Sequence, residues 1–131
     1  MDIGTDWVTV GARVAEYTNS SPDSVRLATV ARVTASQVVL DNGSRYRRKD
    51  GREVGDSARG PWACRTDLRP LDDSQVRQAR VRQVVAAVEA KVERIVKEAK
   101  DIKADADSAW AALGRIELVV AAGRRALADI D

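Results

Sequence analysis

The chain has 131 residues, 22 of them Lys or Arg against 20 Asp or Glu, with no His and a single Cys. That length suits one small domain with an extension rather than a multi-layer enzyme, and a net charge of +2 leaves any polyanion binding to the local placement of cations rather than to bulk charge. The missing His removes Ser-His-Asp and Cys-His catalysis and His-based metal sites, and Cys64 alone supports neither a zinc cluster nor an internal disulfide.

No basic n-region followed by an apolar h-region opens the chain, and its longest apolar stretch, LVVAA at 118–122, is far short of the ~20 residues that span a bilayer. A soluble, cytoplasmic protein with no membrane partner is expected. Neither GxxxxGK[ST] nor GxGxxG occurs, so the common phosphate-cradling loops are absent. The acidic residues are spread over turns and helix faces. No catalytic residue, metal or cofactor is assigned, and the expectation is a non-enzymatic protein.

Residues 8–33 alternate with period two: Val8, Val10, Ala12 and Val14 first, then Val25, Leu27, Thr29, Ala31 and Val33. Such alternation marks half-buried strands. The intervening Thr18-Asn19-Ser20-Ser21-Pro22-Asp23 carries loop chemistry. A third strand is expected over 37–41, followed by Asn42-Gly43, which favours the φ > 0 geometry of a two-residue hairpin turn. A fourth strand over 45–49 is closed by Asp50-Gly51, and a fifth over 62–66 follows a loop with Gly55, Gly60 and Pro61. Five short strands in about 60 residues point to a small antiparallel SH3-like barrel that closes to protect its edges, with an OB-fold ranked second.

After Pro70 the period changes. Apolar or small residues fall at alternating steps of three and four from Val85 to Ile130, a heptad pattern. Val85, Val92, Val120 and Leu113 take a positions, and Val88, Ile95, Ile102 and Ile116 take d positions, with Leu127 again at a. The spacing predicts either one continuous helix from about Asp73 to Ala128 or a helical hairpin, with Asp105, Asp107 or Ser108 capping the second helix. Unbroken phase favours continuity, and the small seam centre at Ala99, Ala106 and Ala109 favours the hairpin. The expected organisation is therefore α+β: a barrel over residues 1–70 and a helical oligomerisation region over 71–131. Val85, Val88, Val92, Ile95, Ile102, Leu113, Ile116, Val120 and Leu127 are the residues expected to hold a homo-oligomer together, with Trp110 in the bundle core.

Two meanings stay open for the basic stretch at 45–52. On a regular strand Arg45, Arg47 and Lys49 share one face and Tyr46 and Arg48 the other. With Arg52, and with Arg13, Arg26 or Arg32 from neighbouring strands, they make a patch whose guanidinium groups suit phosphates. Equally, the cations protect a barrel edge from pairing. Trp62, after Gly60-Pro61, is the ring best placed for stacking on a base. Arg45, Arg47, Arg48, Lys49, Arg52 and Trp62 form the candidate ligand-binding set.

The segment from Gly11 to Gly55 resembles small β-barrel proteins encoded by actinobacterial phages. The matching motifs are Gly11-Ala12-Arg13-Val14, Ala28-Thr29-Val30-Ala31-Arg32-Val33, the hairpin from Val38 to Tyr46, and Asp50-Gly51-Arg52-Glu53-Val54-Gly55. The resemblance covers about a third of the chain and excludes the helical region. It implies a phage or prophage accessory protein in a bacterial cytoplasm. In that setting three readings compete: an oligomer binding DNA or RNA through weak basic faces acting together, an anti-defence protein sequestering a nucleotide signal or binding a host protein, and a structural adaptor.

Overall fold

The computed structural model describes residues 5–54, 65–101 and 105–130. Five strands, β1 (Arg13–Asn19), β2 (Ser24–Val33), β3 (Gln37–Leu40), β4 (Arg45–Arg47) and β5 (Arg65–Arg69), precede two helices, α1 (Ser74–Asp101) and α2 (Ala106–Ile130). The strands form one antiparallel sheet in the order β4-β3-β2-β1-β5. Gly51–Val54 bridges its two edges. Val54 N–H donates to Arg45 O (3.0 Å) and Arg47 N–H to Arg52 O (2.9 Å), while Glu53 N–H donates to Thr66 O (3.1 Å) and Leu68 N–H to Gly51 O (2.7 Å). The sheet is thereby a nearly closed barrel.

Alternation fills its interior with Val14, Ala28, Val30, Val38, Leu40, Tyr46 and Leu68, joined by Val8. The outer face of β1 is also buried: Ala15 and Tyr17, with Val25 and Leu27 of β2, pack against Val76 and Ala79 of α1. That second small core is why the compact unit containing the barrel runs to Ala79, with a second unit from Arg80 to Asp131. Asp73 caps α1, its carboxylate accepting from the backbone N–H groups of Gln75 (3.0 Å) and Val76 (3.1 Å). Arg69 joins cap to strand. Its guanidinium lies 4.2 Å over the Tyr17 ring and bonds Asp67, Asp73 and Gln75.

The structure differs from the sequence reading at several joints. β1 starts only at Arg13, and Val10 is 65 % exposed. A register shift between Val30 and Arg32 re-phases β2, so Val25 and Leu27 face outward whereas Val33 packs inward on Val38. The β3–β4 connection is a three-residue loop: Gly43 N–H donates to Leu40 O, Leu40 N–H to Ser44 O, and Gly43 alone has positive φ (88°). This is a type I turn followed by a left-handed glycine rather than a two-residue turn. β4 ends at Arg47, so Lys49 lies in the following turn and off the strand face. Of the fifth strand expected over 62–66, residues 62–64 lie outside the described residues, and β5 is described over Arg65–Arg69; Trp62 and Ile102 likewise lie outside the described residues.

The helical region is a hairpin of two helices. Asp105 caps α2, accepting from Ser108 N–H at 2.7 Å. A Cβ at Gly123 would stand 2.6 Å from Val88 Cγ2, and Arg115 pairs with Glu98 at 3.1 Å. These two contacts set α1 and α2 antiparallel. Between them lie Val88, Val92, Ile95, Ile116, Val120 and Leu127, all buried or half-buried, whereas Val85 and Leu113 are exposed. Trp110, expected in a core, is 75 % exposed within the single chain.

Candidate functional site

Cross-strand register arranges the barrel's cations. Arg32 of β2 pairs with Val39 of β3, which pairs with Arg45 of β4, and Val54 follows across the closing segment. One row further along, Gln37 pairs with Arg47, and Arg52 lies beyond it, bridged to Asp67. Because Val38 and Tyr46 are fully buried, the residues flanking them in each strand point away from the core. Arg32, Arg45, Arg47 and Arg52 therefore occupy two adjacent rows of one outward face, with Val39 and Val54 between them. Opposed residues stand about 5 Å apart at Cβ and rows about 7 Å apart, so the four guanidinium groups are close enough to contact neighbouring charges on one ligand.

Pairing sorts these cations. Arg47 is held by Asp50 (Nη2 to Oδ2, 2.6 Å). Burial pushes the Asp50 carboxyl up, but the Arg52 N–H and the Arg47 guanidinium hold it below the usual carboxylate range. Arg48 turns away from the face and donates to Thr34 O (3.2 Å), while its own carbonyl accepts from buried Thr5. Arg32, Arg45, Lys49 and Arg52 are exposed and, among the described residues, make no ion pair. Of the six predicted ligand residues, the fold brings Arg45, Arg47 and Arg52 onto one face with Arg32. It leaves Lys49 at the adjacent turn and uses Arg48 as a turn fastener.

Sequence reasoning missed the polar network inside the barrel. Glu16 is 3 % exposed. Its Oε1 accepts from Tyr46 OH (2.6 Å), and its Oε2 from Arg26 Nε (2.7 Å) and Asn42 Nδ2 (2.8 Å). Burial alone would raise the Glu16 pKa, yet hydrogen bonds led by Arg26, Tyr46 and Asn42 hold it below the ordinary value. Burial, with the Glu16 carboxylate beside it, pushes the Tyr46 phenol far above its usual range. The signal was present: Glu16 is a carboxylate two residues after Val14, on the phase that the alternation assigns to the barrel interior. The network ties the β3–β4 loop through Asn42, whose Oδ1 also accepts from Ser44 N–H (2.9 Å), and so steadies the strand that carries Arg45 and Arg47. It also removes Arg26 from the candidate patch.

Beside this network is a cleft of about 340 Å³ lined by Glu16, Thr18, Ser24, Val25, Arg26, Glu53 and Thr66. Its two carboxylates and one already-bonded guanidinium disfavour an anion there, so the outward arginine face is the better place for one. No group of three or more potential metal ligands occurs among the described residues, nor does any described helix have the length and apolarity to cross a membrane. No protein-family model, curated protein or solved structure matches this chain.

Proposed function

We propose that this chain is a non-enzymatic nucleic-acid-binding protein that grips the phosphate backbone with the outward β2–β3–β4 face, and that its helices join copies so that several weak faces act together. The observation that carries the reading is the register of Arg32, Arg45, Arg47 and Arg52 in two adjacent rows around Val39 and Val54. Edge protection needs cations at one unpaired strand. Here they spread over β2, β3's neighbours and the closing segment, which are hydrogen-bonded to one another. Guanidinium groups on such a surface take phosphate oxygens bidentately without reading bases. The strand order, a meander of β1 to β4 with β5 returning to β1, supports an SH3-like barrel. The setting of a phage accessory protein in a bacterial host belongs to the same proposal.

The test is fluorescence anisotropy with a labelled 20-nucleotide single strand at 50 mM salt, comparing the native chain with the double variant Arg32→Ala, Arg45→Ala. Both positions are exposed, so the fold should be kept. Losing two phosphate contacts should weaken binding about 10-fold or more. Equal affinity for both proteins, or no binding by the native chain, refutes the assignment of this face.

A further inference from the structure

The helical hairpin has two unlike faces. Residues two apart on a helix point about 200° apart. Glu98 and Arg115, which meet across the hairpin at 3.1 Å, therefore mark one face. Val96 and Leu113, each two residues before them, lie on the other. Val85, three turns before Val96, shares that side of α1; Val92 and Val120, half-buried between the helices, lie at its inner border, and Trp110, one turn before Leu113, sits at its outer margin. Val85 is 53 %, Val96 37 %, Leu113 54 % and Trp110 75 % exposed. The face marked by the ion pair carries one exposed apolar side chain on α2, Leu118 at 72 %, but on α1 the residues one turn or two from Glu98 on that side are Arg94 and Lys91, so no apolar stripe crosses both helices there.

We infer that this apolar face is covered by the same face of a second copy of the chain, in an isologous four-helix bundle whose two-fold axis runs along the hairpin. The inference deepens the self-association part of the reading above and does not depend on the ligand. Two observations favour a second copy over an unlike partner. The first is area. Trp110 exposes most of a side chain worth up to about 250 Å², and with its neighbours the face presents on the order of 500 Å². Two such faces bury about 1,000 Å², the lower bound for a specific interface.

The second is charge. A two-fold axis along the hairpin lays α1 of one copy over α2 of the other at equal height. The register that sets Gly123 against Val88 and Arg115 against Glu98 then brings Glu89 level with Arg124 and Lys97 level with Glu117. Neither pair forms an ion pair within the single chain. Each is of opposite sign, and each occurs twice in a symmetric dimer. Leu113 of the second copy arrives beside a groove of about 360 Å³ lined by Val92, Glu93, Val96, Lys97 and Lys100, an apolar floor with a charged rim.

The experiment is the mass of the full chain by sedimentation equilibrium across 1–100 µM (concentrations chosen on the order of those a small interface requires), with circular dichroism to confirm helix content. The native chain should approach twice its 14.2 kDa. Val96→Glu with Leu113→Glu, both at exposed positions, should give a folded monomer. Glu89→Arg and Arg124→Glu should each weaken the dimer, and the two together should restore it. A native monomer at all concentrations overturns self-association altogether. A native oligomer that Val96→Glu with Leu113→Glu leaves intact overturns this face while sparing self-association, and failure of the charge reversal to restore the dimer overturns the two-fold arrangement.

Discussion

Tyr46→Phe tests whether the polar network inside the barrel stabilises it. The substitution keeps the ring, which is fully buried, and removes one hydroxyl whose only described acceptor is Glu16 Oε1 at 2.6 Å. A hydrogen bond to a charged group contributes about 1.5–3 kcal/mol, and the buried Glu16 carboxylate is left with Arg26, Asn42 and Ser44 as its side-chain donors. Arg26 and Asn42 still serve Oε2, and Arg26 is 67 % exposed, so its attraction is largely screened and offsets little. The expected loss is about 2–3 kcal/mol, or a fall of roughly 10 °C or more in Tm for a unit of this size. Urea unfolding is followed by fluorescence in a Trp62→Phe, Trp110→Phe background, which leaves Trp7, packed against the barrel core, as reporter. Glu16→Gln completes a double-mutant cycle. Its amide can turn toward the Tyr46 hydroxyl, so it should cost less alone, and the coupling between the two positions should exceed about 1 kcal/mol. A change under 0.5 kcal/mol for Tyr46→Phe, or additive effects, would refute the account of the network.

Further predictions follow from the same geometry. Glu16 and Asp50 have folded-state pKa values below their ordinary ones; their stabilisation is therefore complete above the unfolded carboxylate range of about 4 and is lost as pH falls through the lower folded values. Acid titration of Tyr46→Phe should show a smaller loss, complete at a higher pH than in the native chain, because Glu16 no longer has one of the bonds that lower its pKa. Gly123→Val should destabilise the hairpin by about 1–3 kcal/mol, because the new Cβ would stand 2.6 Å from Val88 Cγ2. Adding Val88→Ala should recover much of it in thermal melts followed at 222 nm. Asp73→Ala removes the cap of α1 and should cost about 1 kcal/mol in urea unfolding.

Much of the barrel was legible because strand alternation and glycine turn chemistry act over a few residues. Gly43 and Gly51 do take positive φ, and β2, β3 and β4 fall where the period-two pattern places them. The details that failed are set by contacts distant in sequence. The shift at Val30–Arg32 depends on pairing with β3. The end of β4 at Arg47 depends on Asp50 capturing Arg47 and Arg52 N–H, which turns Lys49 away. Continuous heptad phase did not distinguish one helix from two, since α2 brings its own apolar stripe and the connection happens to preserve the step. Asp105 was the usable signal, a cap residue inside an otherwise uninterrupted pattern. The arginine face was half legible: Arg45, Arg47 and Arg52 are visible as a cluster, but the inclusion of Arg32 and the loss of Arg26 to Glu16 required the register.

The most direct test of the central claim is the salt dependence of nucleic-acid binding by the native chain. With three to four phosphates neutralised per barrel, log affinity for a single strand should fall with log salt at a slope of about −2 to −3, and the variant carrying Arg32→Ala and Arg45→Ala should lose roughly 1.4 from that slope. Salt-independent binding, or a slope that those two substitutions leave unchanged, would contradict the reading of the β2–β3–β4 surface as a phosphate-binding face.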